Sequence, residues 1–103
     1  MKVIWRTEAD EGRRQVAEYI RQSFGKKAMI DFMQEVRNTT KYLRQFPDIA
    51  PKDPLFEDRD DVYRSILINN LSRLVYRVDG DVVNIVGFWD CRRDPVAQAK
   101  RVK

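Results

Sequence analysis

The chain contains no histidine and a single cysteine, Cys91. Without an imidazole, histidine-based general acid–base or nucleophilic catalysis is excluded. One cysteine cannot close an internal disulfide, which fits a reducing compartment, and with no histidine beside it a structural zinc site is all but excluded. Long hydrophobic runs are also lacking: no stretch approaches the length of a bilayer span. The opening Met1-Lys-Val-Ile-Trp-Arg6 is too short and too soon interrupted by charge for a signal-peptide core. A cytoplasmic protein is therefore the expectation. With no repeat, low-complexity tract or linker, residues 1–103 are expected to form one domain, and no motif calls for a metal or a cofactor.

What is present is the composition of a globular protein, 43% apolar and 35% charged. Twenty basic residues stand beside 16 acidic ones, giving a net charge of +4. That leans towards an anionic partner only weakly, because mixed charge serves solubility equally well.

Residues 2–6 alternate and are rich in strand formers. Thr7 offers a helix N-cap, with Asp10 at the capping-box position. Val16, Tyr19, Ile20 and Phe24 follow at helical spacing, and Gly25 supplies the stop. Gly12 inside this helix should cost about 1 kcal/mol relative to alanine. A second helix is predicted over 26–45, with Met29, Phe32, Met33, Val36, Thr40 and Leu43 on one stripe. The short connection at Gly25 folds the two back as an antiparallel hairpin. Phe46-Pro47 ends the second helix, since the residue before proline is pushed out of the α region.

A proline-containing loop over 47–62 follows, and its acidic run 57–61 reads as solvated rather than as a Mg²⁺ site. Three strands are expected near 63–68, 72–78 and 82–89. Asn69-Asn70 and Asp79-Gly80 supply the turns between them. Val82, Val83, Ile85, Val86 and Phe88 are apolar on both faces, which places the last strand centrally. Pro95 can open a short basic helix or begin an unfolded tail. The expected fold class is α+β, an N-terminal strand and a helical hairpin packed on one face of a small, mainly antiparallel sheet.

Alternation puts Arg73, Val75 and Arg77 on one sheet face and Leu74, Tyr76 and Val78 on the core face. The first face is then expected to be open. Arg64 is expected to lie across from Arg73 and Arg77, with Arg92 and Arg93 just beyond the last strand. Arginines so grouped would grip phosphate or carboxylate and stabilise charge developing at phosphorus. The competing reading makes them solvated residues paired with Asp79, Asp81 and Asp90. Tyr63, Tyr76 and Trp89 read either as core or as proton-donating and stacking groups. Cys91 has no base to activate it.

The order of elements, with Phe46-Pro47-Asp-Ile49, Tyr63-Arg-Ser65, Ser72-Arg-Leu-Val-Tyr-Arg-Val78 and Trp89-Asp-Cys-Arg-Arg-Asp-Pro95, resembles the RelE/ParE toxin superfamily of type II toxin–antitoxin modules, the group that includes plasmid-stabilisation proteins. The resemblance spans nearly the whole chain. It implies a toxin neutralised by a cognate antitoxin in a hetero-oligomer. The RelE branch cuts mRNA on the ribosome, and the ParE branch inhibits DNA gyrase. By the RNase reading, Arg73 and Arg92 would be catalytic at the scissile phosphate, Arg64 would hold the RNA backbone with Arg77 and Arg93 beside it, and the substrate's own 2′-hydroxyl would attack without metal. The chain departs from that branch at Ile66, where a lysine is usual. Near its C-terminus it offers Gln98 where many members carry tyrosine or histidine, leaving only Asp90, Tyr63 or Tyr76 as a base. Gyrase inhibition, or antitoxin binding alone, are the alternatives.

Overall fold

The computed structural model describes residues 1–102. The elements run β1 (Lys2–Trp5), α1 (Thr7–Phe24), α2 (Lys26–Gln45), a 3-10 turn (Pro54–Phe56), β2 (Arg64–Ile68), β3 (Ser72–Asp79), β4 (Val82–Asp90) and α3 (Pro95–Arg101). The sheet has the order β1-β4-β3-β2, with β1 parallel to β4 and the other pairs antiparallel. This is the α+β architecture that the sequence predicts, with β4 flanked on both sides as its apolar faces require.

Thr7 is not the cap of α1. Arg6 holds that position in an extended conformation, its side chain caps nothing, and Thr7 is the first helical residue. The cause is that the Arg6 N–H still donates to the Ile85 carbonyl, at 2.9 Å. Strand pairing thus persists to the residue at which the helix begins. Asp10 is spent on Arg13 and Arg14 rather than in a capping box. Gly25, at φ 97°, separates α1 from α2, and glycine takes that conformation without a Cβ penalty.

The hairpin covers one sheet face through Ala9, Val16, Phe32, Val36 and Leu43, packed against Leu74, Tyr76, Val83, Ile85 and Phe88. Met33 lies one position off the Phe32–Val36–Leu43 line and is exposed, as are Tyr19 and Phe24. Gly12 sits where a Cβ would overlap the Phe88 carbonyl oxygen. The lack of a side chain there lets α1 come down directly onto β4. Its intrinsic helix cost is the lesser effect.

The face expected to be open is covered. A second cluster of Phe56, Tyr63, Val75, Val86, Trp89, Ala99 and Val102 closes it, built from the 3-10 turn and α3. The C-terminal segment is a helix, capped by the Asp94 carboxylate on the Val96 and Ala97 N–H groups with Pro95 in the first turn. Arg59 ties it down by donating to the Val102 and Ala99 carbonyls at 2.6 and 2.8 Å while lying over the Phe56 ring. A bulge makes the second core possible: Val75 opposes Gly87 and Tyr76 opposes Ile85, so Val86 is the extra residue on β4.

Candidate functional site

The strand register decides which of the five arginines can act together. Arg73 and Arg77 do share a face, as alternation predicts, with Val75 between them. Four residues of strand separate them by about 13 Å. The space between them is filled by the second core, in which Phe56 and Tyr63 stack with ring centres 4.7 Å apart. Arg73 donates to the buried carboxylate of Asp53 at 2.8 Å. Asp53 also accepts from the Leu55 N–H and so starts the 3-10 turn. Arg77 donates to Asp79 at 2.8 Å and to the Tyr63 hydroxyl at 3.0 Å.

Arg64 does not lie across from these two. It pairs with Tyr76, and directly opposed residues point to the same side of a sheet. It therefore belongs to the hairpin face, where it donates to the Ala50 carbonyl at 2.8 Å. The sequence prediction failed by one residue of register, which is enough to send a side chain to the opposite face.

Arg92 goes a third way. It grips Asp90 through two guanidinium nitrogens and lies over the Tyr19 ring of α1, 5.0 Å from its centre. That contact shifts both neighbours. Hydrogen bonding to Arg92 holds the Asp90 carboxyl and the Tyr19 phenol below their usual values, and Asp90 in turn raises the guanidinium. Arg93 has no ion pair among the described residues, and it lines with Arg92 a cleft of about 360 Å³ between α1, the end of β4 and α3. Glu8 and Arg101 bridge α1 and α3 beside that cleft at 3.2 Å.

The five arginines therefore form three separate groups. Pairing with Asp79 and Asp90 is as the competing reading has it, and Asp81 forms no ion pair among the described residues. The general-base candidates are dispersed as well. Tyr76 is fully buried, donates to the Pro47 carbonyl at 2.7 Å, and is pushed up by burial. Tyr63 is buried beneath Arg77, and Trp89 is a core residue. Desolvation raises the pKa of the Cys91 thiol, the opposite of what an activated nucleophile needs. Among the described residues no group of three metal-ligating side chains comes together.

Sequence reasoning missed Asp53, Arg59 and Tyr19. Asp53-Pro54 signals a turn, but the partnership with a strand residue 20 positions on has no local signature. The apolar Val75, Val86 and Trp89 on the supposedly open face were the one readable hint that something covers it.

Comparison with known proteins agrees with this architecture. Residues 3–95 match the family described as the ParE toxin of the type II toxin–antitoxin system parDE. A solved structure of a chromosomal ParDE toxin–antitoxin system from P. aeruginosa superposes with a TM-score of 0.70 at 15% identity, covering 87% of this chain and 95% of that one. None of the curated proteins matches in sequence.

Proposed function

The chain belongs to the ParE toxin family, and from that premise we propose that it is the toxin of a type II pair which acts by occupying DNA gyrase, not by cutting RNA. One observation carries the choice between these two. The arginines that would have to meet at a scissile phosphate are divided among two sheet faces and the α1 side of β4. Phosphoryl transfer is catalysed chiefly by positioning charge around one phosphorus, so cations on different faces cannot share that work. Inhibition by binding needs no such convergence and no proton shuttle. With histidine absent, Tyr63 and Tyr76 buried and Asp90 gripped by Arg92, no free base is provided among the described residues.

The partner that restrains the toxin is an antitoxin, and the resting form is their hetero-oligomer. A chain of net charge +4 suits an acidic antitoxin segment. The direct test is a supercoiling assay with purified gyrase and relaxed plasmid. Near-stoichiometric protein should leave the plasmid relaxed or trap cleaved complexes, and adding antitoxin should restore supercoiling. In a parallel translation reaction, primer extension should find no new mRNA ends. Ends that appear with wild type and vanish with Arg73→Ala and Arg92→Ala, while gyrase stays active, would reverse the assignment.

A further inference from the structure

We propose that the exposed face of α2 is a contact surface for the phosphate backbone of a nucleic-acid duplex, made by Arg37, Lys41 and Arg44. These residues recur at intervals of four and three and so share one helix face. All three are exposed. At 1.5 Å of rise per residue they span about 10 Å, and a duplex strand advances about 3.4 Å per phosphate, so the row can follow roughly three successive phosphates.

Elsewhere in the hairpin most cations are paired, Lys26 at the start of α2 being the exception among the described residues. On α1, Arg13 and Arg14 pair with Asp10, and Arg21 pairs with Glu18. At the start of α2, Lys27 pairs with Asp31. Beyond that point ion pairing stops: among the described residues, no carboxylate lies within salt-bridge distance of Arg37, Lys41 or Arg44. Glu35 is two residues from Arg37, and such neighbours do not share a face. What surrounds Arg37 is neutral: it donates to Gln34 at 2.9 Å, and Gln34 donates to Asn38. Amide side chains beside unpaired cations are a usual composition of phosphate-contacting surfaces.

Complementing the negative end of the helix dipole accounts for Arg44, which lies in the last turn. It does not account for Arg37 and Lys41 further back, because that effect fades within a turn. An acidic protein partner is the less fitting occupant. Protein interfaces bury an apolar centre, whereas the exposed apolar residues of this stripe, Ile30 and Met33, precede the basic row and do not interleave with it.

The test uses the full chain, a fluorescein-labelled 20-base-pair DNA duplex of arbitrary sequence, and anisotropy titrations at several salt concentrations. Binding should weaken with salt, log K falling against log salt with a slope of roughly −2.7 if three phosphates are engaged. The triple variant Arg37→Gln/Lys41→Gln/Arg44→Gln should bind at least about tenfold more weakly and lose most of that slope. A charge-matched control, Arg14→Gln/Arg21→Gln/Lys27→Gln, removes three cations that are already paired and should leave both quantities near wild type. Circular dichroism checks that both variants remain folded. Equal losses in the two variants would assign binding to net charge and overturn the proposal. So would wild type that does not bind at low salt, or a basic row needed for binding poly-glutamate but not for binding DNA. Because the probe contains no gyrase, the result stands apart from the toxin's target.

Discussion

At the scale of single residues, the most consequential side chain is Asp53, which the sequence presents as an ordinary loop aspartate. Its carboxylate is buried, starts the 3-10 turn and holds Arg73. Removing one partner of a buried ion pair leaves the other uncompensated, at a cost of several kcal/mol when both are dry. Here Arg73 keeps 29% exposure, so Asp53→Ala should lose about 2–3 kcal/mol, less than a fully dry pair. Urea denaturation checks this, and a loss below about 0.5 kcal/mol, typical of a solvated loop residue, would contradict it. Two carboxylates elsewhere give stability a dependence on acid. Arg77 and Arg92 hold Asp79 and Asp90 below the ordinary aspartate value of 3.8. A depressed folded-state pKa gives stability that is present above the unfolded value and lost as pH falls through the folded one. With no histidine to titrate, stability should be level between about pH 5.5 and 7 and decline below about pH 4. Asp90→Asn should blunt that decline, though modestly, because both pairs are partly solvated. The roles of these arginines were only half legible. Alternation correctly puts Arg73 and Arg77 on one face, but the register that sends Arg64 to the other is set by contacts that no local pattern encodes.

At the scale of elements, the helices were the most readable part because their signals are local. Gly25 ends α1 and the proline after Phe46 ends α2, where the sequence places both boundaries. The β4 segment was legible in one respect and misleading in another. Apolar residues on both faces correctly place it inside the sheet, yet the same residues demand cover on both faces, and that cover comes from α3 and the 3-10 turn. Recognising it required knowing that a seven-residue C-terminal helix would be retained by Arg59, which lies 40 or more positions earlier. Gly12 is the corresponding case in α1. Propensity alone says that Gly12→Ala should stabilise the helix by about 1 kcal/mol. The contact with Phe88 reverses the sign, since a methyl group there must push α1 off β4. Overpacking of this kind costs about 1–3 kcal/mol, so a lowered melting temperature is expected, and a raised one would show that the helix can move aside freely.

At the scale of the whole molecule, most of the charge that looks like a catalytic constellation in the sequence is internal bracing. Arg73 and Arg77 flank the second core, Arg64 anchors the loop after α2, and Arg92 joins the end of β4 to α1. Among the described residues, three of the hairpin's four cations without an ion pair lie instead in the second half of α2, the other being Lys26 at its start. The arginines do not converge on one point among the described residues, and on our proposal the fold acts through its binding surfaces on a protein machine that works on DNA. The measurement that tests this most directly is pulse-labelling of DNA and protein synthesis in the first minutes after tightly controlled induction in bacteria. The account predicts that thymidine incorporation falls first while amino-acid incorporation continues. An immediate stop in amino-acid incorporation with DNA synthesis continuing would contradict it and return Arg64, Arg73 and Arg92 to an RNA-cleaving role.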